Sequence, residues 1–329
     1  MKLRIVIIAA LGLALAFYLV MYAGVGAVFS AAVAVGWSGF AALCLYVLGP
    51  FLILGAAWCV LLPDASFARL KILVWARMVR DAATEVLPFS QLGGIVIGAR
   101  AAILHGISQP RVFASTIADV TTEMLAQIAY IALGVAILSA RSPRTAFTLS
   151  LTTGFVIGLV VAVLAGGLLL ALQRYSRRMT ARITARVFPG AVAATAAVSA
   201  ELAAIYRSPL RIAISAALHF AGWIASAIGA WIAFRLIGAH IGLTAVLAIE
   251  SLISAARSIA VFVPNALGVQ EAAYAVLAPL FGVGAEIGLA VSLLKRARDI
   301  AVGVPILLIW QGLEGQRALG RARPHTKTR

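Results

Sequence analysis

The 329-residue chain is strongly apolar: 63% of its residues are hydrophobic, only 12% are charged, and the mean hydropathy is +1.05. A soluble domain carries roughly 25% charged residues, so the composition excludes an ordinary soluble protein and predicts a polytopic membrane protein. The net charge of +16 is spread in short clusters between apolar runs, which argues against a nucleic-acid-binding surface. The two cysteines and four histidines show no metal-ligand or disulfide spacing, so no cofactor is expected.

Six apolar runs approach or exceed the length of about 20 residues that a helix needs to cross a bilayer. The predicted spans are 5–22, 38–62, 112–138, 146–172, 210–234 and 284–312. The first run could pass for a secretory signal, but it is too long and further spans follow, so a retained helix is expected. The segment 69–80 mixes four bases with apolar residues, a pattern that favours a helix lying along the headgroups.

Two further apolar regions, 82–107 and 243–281, are broken by proline and glycine. Proline removes a backbone donor and disfavours helix in the residue before it, so each region predicts a bent, re-entrant helical hairpin. Broken backbone at membrane depth is tolerated only where protein or a water-filled cavity surrounds it. The side chains of Gln91, Asn265 and Gln270 therefore either cap the broken helix ends or contact a substrate. The candidate substrate-pathway residues at the breaks are Pro88, Gln91 and Gly93 in LPFSQLGG, and Pro264, Asn265, Gly268, Gln270 and Glu271 in FVPNALGVQEAAY.

The distribution of basic residues predicts the orientation of the chain. If the N-terminus is cytoplasmic and both hairpins return to the side they enter from, 19 of the 27 Lys and Arg residues are cytoplasmic and three are external. Both termini are then cytoplasmic, the first hairpin enters from inside and the second from outside. Hydropathy alone would count seven to nine spans, because the hairpins resemble spans.

The two broken regions also occupy corresponding places in two halves, about 63–172 and 207–312. In each half a proline is followed by Leu-Gly, then by a later glycine, Gly106 or Gly282, and then by a long helix. Interrupted segments in corresponding positions indicate an inverted-repeat transporter with its site between the repeats. The predicted fold is an all-α polytopic membrane protein with about six full transmembrane helices and two re-entrant hairpins. Residues 1–316 form one integral-membrane domain, and 317–329 a basic, disordered cytoplasmic tail.

Ionisable residues inside the predicted spans are the other candidates for function. Such a group costs a few kcal/mol on insertion scales, and it survives where it faces a partner or water. The long helix after the first break carries Asp119 and Glu123, whereas the one after the second carries Lys295, Arg298 and Asp299. Opposite signs on corresponding helices suggest pairing across a central cavity, either along a substrate path or as a structural ion network.

Four more charged residues flank the second break or follow a break. Glu250 and Arg257 share a helix face ahead of the second break, where they form either a gate or a pair that neutralises itself. Arg100 follows the first break and Glu271 the second; these two either pair with each other or contact a headgroup.

The two broken motifs resemble a known family. LPFSQLGG with the following GARAAILHGIS, and FVPNALGVQEAAYAVLAPLFG with the following SLLKRARDIAVGVP, are similar to the membrane family named for the transmembrane region of lysylphosphatidylglycerol synthase. The resemblance extends from about Arg77 to Pro305. Within the family the chain is most similar to the hopanoid-biosynthesis-associated branch of the bacterial inner membrane.

The resemblance implies movement of a lipid across or out of the inner membrane. The lipid would be a hopanoid in the closer branch and aminoacylated phosphatidylglycerol in the name-giving one. The name-giving enzymes carry a soluble aminoacyl-transferase domain after the membrane part, whereas only 17 residues follow the last predicted span here, so synthase activity is not expected.

A search for enzyme signatures supports a non-catalytic role, since the sequence has no phosphate-binding loop, metal cluster or nucleophile elbow. The expected partners are a membrane lipid, anionic phospholipid at the basic cytoplasmic segments, and proteins of hopanoid synthesis. Two alternatives remain open: transport of another aminoacylated or glycosylated lipid, and a membrane scaffold for lipid-synthesising enzymes.

Overall fold

The computed structural model describes residues 33–87, 91–141, 145–187, 192–259, 266 and 268–321. Every regular element within these residues is a helix, which confirms the all-α prediction. The helices are α1 (Trp37–Tyr46), α2 (Leu48–Val60), α3 (Phe67–Val86), α4 (Gln91–Leu104), α5 (Gln109–Arg141), α6 (Ala146–Val187), α7 (Val192–Tyr206), α8 (Pro209–Leu236), α9 (Leu243–Ile259), α10 (Val269–Leu277, continued by a 3₁₀ turn, Ala278–Phe281) and α11 (Ala285–Arg321).

Four helical segments in the described part of the chain are long and apolar enough to cross a membrane: Trp37–Val60, Gln109–Arg141, Ala146–Leu168 and Pro209–Leu236. They coincide with four of the six predicted spans and establish a multi-pass membrane protein. The predicted span 5–22 lies outside the described residues. The predicted span 284–312 coincides with α11 from Ala285 onwards. This helix carries more charged residues than the four apolar segments and is not one of them.

The first broken region, 82–107, contains the end of α3 and all of α4, and these two helices pack closely. Leu87 ends α3 in an extended conformation, with ψ 147°, as the proline at position 88 requires. Residues 69–80 are helical, as predicted, and belong to α3, but the prediction that this helix lies along the headgroups is wrong for its second half. Arg77 and Arg80 are only 4% and 8% exposed, since α3 lies inside the bundle where both bases have acidic partners.

The second broken region consists of α9 and α10, with Pro264 and Asn265 of the break outside the described residues. Gly268 precedes α10 with φ +80°, a left-handed conformation that favours glycine. Its backbone N–H donates to Glu271 Oε2 at 2.9 Å, so Glu271 satisfies one of the unpaired donors at the start of α10.

The two broken regions begin two units of similar design, which we call unit 1 (α3–α5) and unit 2 (α9–α11). In each unit, a glycine in the left-handed conformation, Gly106 or Gly282, precedes the long helix. The residue after each glycine donates to the carbonyl five positions back: Ile107 to Ala102 at 3.5 Å, and Val283 to Ala278 at 3.2 Å. The two units therefore share a helix order and a turn.

The packing between the units is reciprocal. The first helix of unit 1, α3, packs against the long helix of unit 2, α11. The first helix of unit 2, α9, packs against the long helix of unit 1, α5. This exchange of like surfaces is the arrangement expected of a repeat related by a two-fold axis.

A charged cavity between the two units

A partly open cavity of about 320 Å³ lies between unit 1 and unit 2. Helices α2 and α8 complete its walls with apolar side chains, including Phe51 and Leu54. Its lining is otherwise rich in charge, with five bases and five acids from the described residues. These are Arg77, Arg80, Arg257, Lys295 and Arg298, and Asp81, Glu85, Glu123, Glu250 and Asp299.

The unit 1 cluster joins two arginines of α3 to two acids of α5. Arg77 donates to Glu123 Oε1 at 2.7 Å, and Arg80 donates to Glu123 Oε2 at 2.6 Å and to Asp119 Oδ2 at 2.9 Å. Arg77 also donates to Asp81 at 2.9 Å. The expected pairing of Asp119 and Glu123 with the bases of the last helix is therefore wrong: α3 is buried and supplies nearer partners.

Asp119 extends the unit 1 cluster away from the cavity towards α8. It is fully buried, and His219 Nε2 of α8 lies 3.0 Å from its Oδ1. A second contact, of 2.9 Å, joins the hydroxyl oxygens of Thr122 and Ser215 between the same two helices. Asp119 thus ties three helices together behind the cavity wall.

The unit 2 cluster joins Glu250 of α9 to Lys295 of α11. Lys295 Nζ lies 2.6 Å from Glu250 Oε2 and 2.9 Å from the Tyr274 hydroxyl oxygen, and that hydroxyl donates to Glu250. Arg298 donates to its neighbour Asp299 at 2.6 Å. All four charged residues line the cavity, so these pairs form part of its wall.

One of the ion pairs that connect the units lies at the cavity. Arg257 of α9 donates to Glu85 of α3 at 2.6 Å and to Gln270 Oε1 of α10 at 3.0 Å. Gln270 in turn donates to Ser292 of α11 at 3.0 Å. The expected alternative of a local Glu250–Arg257 pair is wrong, because each residue is held by a different partner.

The two clusters occupy corresponding places with reversed signs. Asp119 follows Gly106, and Lys295 follows Gly282, by the same 13 residues. Each pairs with an opposite charge on the first helix of its own unit: Asp119 with Arg80, and Lys295 with Glu250. The repeated backbone therefore positions an acid on the long helix of unit 1 and a base on that of unit 2.

Arg100 and Glu271, like Asp119, lie away from the cavity lining. Arg100 is mostly exposed and pairs with Glu314, whereas Glu271 accepts from Arg296 at 2.7 Å. The alternative of an Arg100–Glu271 pair is therefore wrong. Glu271 also bonds the N-terminus of α10, so its contacts are those of a residue that fixes local structure.

The remaining candidates belong to the breaks. Gly93 lies in the first turn of α4, and Gly268 immediately precedes α10. Pro88, Pro264 and Asn265 lie outside the described residues, as does the side chain of Gln91. Seven predicted residues line the cavity: Glu123, Glu250, Arg257, Gln270, Lys295, Arg298 and Asp299.

The sequence interpretation missed the contribution of α3. Arg77, Arg80, Asp81 and Glu85 recur at intervals of three and four residues, which places them along one helix face. A surface helix at the headgroups needs no acids on the same face as its bases. That mixture was the signal that α3 enters the bundle.

The family comparison covers both units and the cavity between them. Searches of curated proteins and of solved structures found no match. The family model described as "Lysylphosphatidylglycerol synthase TM region" matches residues 3–306, so the chain belongs to that family of membrane proteins.

Proposed function

We propose that this protein moves a membrane lipid across or out of the bacterial inner membrane, and that the lipid is a hopanoid. The observation that carries the proposal is the cavity between two reciprocally packed units, lined on both sides by charged residues. Transporters built from repeats place their substrate site at this interface. Membership of a family named for a lipid synthase supports a lipid as the substrate.

The size of the cavity supports headgroup entry. Its volume of about 320 Å³ is at the lower end of the range for small-molecule sites, roughly 300–1,000 Å³. A cavity of this size admits the polar end of a lipid while the apolar body stays in the bilayer. A hopanoid is a rigid apolar ring system with a modest polar end, so it suits this division.

The state of the lining carboxylates favours a carrier over an enzyme. Each of the five acids in the described lining has a base within ion-pair distance. A general acid or base needs a proton-transfer group directed at the substrate, whereas these carboxylates are occupied by guanidinium or ammonium groups. We therefore assign the cavity to binding and passage.

The proposed placement is the inner membrane with both termini cytoplasmic, because that orientation puts most basic residues inside. The cytoplasmic clusters then meet a negatively charged leaflet, so we assign anionic phospholipid as their partner. Proteins of hopanoid synthesis would supply the cargo.

A deletion strain tests the proposal through lipid analysis of its separated inner and outer membranes. We expect hopanoids to accumulate in the inner membrane, and wild-type protein to restore their arrival in the outer membrane. Arg257→Gln should restore arrival poorly, because it removes the pair that joins the units at the cavity. Arg100→Gln is the matched control: it removes a pair that also joins the units but is mostly exposed and outside the cavity, so it should restore arrival fully.

The same experiment separates the alternatives. If the distribution of hopanoids is unchanged and that of an aminoacylated or glycosylated lipid is altered, the protein is still a carrier, and that other lipid is its cargo. A scaffold would instead require the basic tail for enzyme recruitment. If a variant lacking 317–329 loses function while Arg257→Gln retains it, the scaffold replaces the carrier.

A further inference from the structure

We infer that Tyr130 and Trp223 form a subsite within the cavity that binds hydroxyl groups of an uncharged lipid headgroup. The inference rests on the proposed function and specifies the chemical class of its substrate. It concerns two cavity-lining residues that are uncharged and that take no part in the ion pairs described above.

The two side chains form one surface between α5 and α8. Tyr130 is 1% exposed, and its ring stacks on that of Trp223, with centroids 5.8 Å apart and planes 17° apart. The rings of Tyr130 and Phe220 are nearly perpendicular, at 83°, with centroids 6.3 Å apart. Tyr130 of α5 therefore packs against two aromatic rings of α8.

Both polar atoms are buried without a hydrogen-bond partner among the described residues. These atoms are the Tyr130 hydroxyl oxygen and Trp223 Nε1. Buried polar groups nearly always have partners, and leaving one unsatisfied destabilises the protein. Both residues line the cavity, so a molecule bound there can supply the missing bonds once the side chains shift to expose the two atoms.

The donor and acceptor properties of the pair select a hydroxyl group. The indole N–H only donates, whereas the phenol both donates and accepts. A hydroxyl can accept from Trp223 and donate to the oxygen of Tyr130, and two adjacent hydroxyls can satisfy both atoms separately. A saturated hydrocarbon end would leave both atoms unsatisfied, so the subsite discriminates against it.

The charges around the cavity disfavour an anionic headgroup. Each of the five bases in the described lining already has a carboxylate partner. An incoming phosphate would compete with these carboxylates for their bases, and a carboxylate that lost its base would remain buried without a partner, which is costly. An uncharged headgroup bearing hydroxyls needs no such exchange.

Binding measurements on the full-length protein in phosphatidylcholine nanodiscs test the inference. Three probes are added in turn: a polyol-bearing hopanoid, the parent hopanoid hydrocarbon, and phosphatidylglycerol. We expect the polyol-bearing hopanoid to bind more tightly than the other two. Tyr130→Phe and Trp223→Phe should each weaken its binding by about tenfold, since each removes one buried hydrogen bond.

The chain offers matched controls for the tryptophan. Trp310 and Trp75 also have buried indole N–H groups without a partner among the described residues, but neither lines the cavity. Trp310→Phe and Trp75→Phe should leave binding of the polyol-bearing hopanoid unchanged. Elution of every variant as a single peak in detergent, with unchanged helical circular dichroism, verifies that it is folded.

Each outcome decides a different point. Equal binding of the polyol-bearing hopanoid by wild type and both cavity variants overturns the subsite and leaves the carrier role standing. If phosphatidylglycerol binds as tightly as the polyol-bearing hopanoid, or more tightly, the inference that the headgroup is uncharged is overturned. Failure of the wild type to bind either hopanoid overturns the proposed hopanoid cargo together with the inference.

Discussion

Glu123 is the residue on which the unit 1 cluster depends most, because its two oxygens hold both arginines of α3. Arg77 donates to one oxygen and Arg80 to the other, at 2.7 and 2.6 Å. Bidentate and bridging contacts of this kind fix geometry as well as charge. A buried pair contributes little net stability over apolar side chains, yet removing one partner is costly because the other charge stays buried.

We predict that Glu123→Gln destabilises the protein by about 3 kcal/mol, at the lower end for a broken buried pair, because Asp81 and Asp119 still neutralise the arginines. The measurement is thermal unfolding in detergent. Glu201→Gln is the control, since its pair with Arg111 is partly exposed and should contribute less than about 1 kcal/mol. Equal losses in the two variants would show that the cluster is solvated.

Glu271 illustrates what a sequence conveys at the scale of one residue. The carboxylate beyond the break in FVPNALGVQEAAY has the spacing of an N-terminal capping residue, and it does accept from the N–H of Gly268. Its second partner, Arg296, lies 25 residues away, and no local pattern specifies that pairing. The cap was predictable, whereas the ion pair was not.

At the scale of the helix, the close approach of α4 to α3 depends on two glycines one turn apart, Gly94 and Gly98. A Cβ on Gly98 would lie 2.6 Å from Arg80 Cβ and 3.0 Å from the carbonyl oxygen of Ala76. A Cβ on Gly94 would lie 2.7 Å from the carbonyl oxygen of Arg80. This is the small-residue spacing that lets membrane helices pack closely, and it positions the arginine that bonds Asp119.

We predict that Gly98→Ala destabilises the protein by about 1–3 kcal/mol, because the methyl group forces α4 away from Arg80. Alanine is a better helix former than glycine by about 1 kcal/mol. A loss of stability therefore identifies the steric clash as the cause, whereas a gain identifies helix propensity. Gly158→Ala is the matched control on α6, where a Cβ meets nothing within 4 Å and stability should stay level or rise. Stabilisation by both substitutions would mean that α3 and α4 are not tightly packed. Thermal unfolding in detergent measures both.

The breaks between helices were predictable, and the packing of the helices was not. Proline at 88 explains why α3 ends in an extended residue, and glycines at 106 and 282 explain the turns before the long helices. The membership of 69–80 in the bundle depended on acids of α5, which lie about 40 residues further along the chain. A hydropathy average scores each charged residue as polar whether or not it has a partner. It therefore predicts that a buried helix with paired charges lies at the surface.

At the scale of the whole molecule, the wall of the cavity is neutral, because its five acids and five bases are paired. The reversed signs place bases on both α3 and α11, which pack against each other, so each of these bases depends on an acid of its own unit. The Glu85–Arg257 pair is the direct charged link between α3 and α9. Relative motion of α3 and α9 must break or exchange this link, so Arg257→Gln tests whether the link is needed for transport.

The orientation of the molecule gives the last prediction. Helix α6 continues from its apolar part, Ala146–Leu168, through a basic stretch to Val187, so its basic end should extend into the cytoplasm. Alkaline phosphatase fused after Arg141 should be active, since its disulfides form only outside the cytoplasm. Fusion after Arg207 should be inactive, and a fluorescent protein fused to the C-terminus should fluoresce. The reverse activities at the two fusion sites would invert the topology and place the Arg141 end of α5 inside the cell.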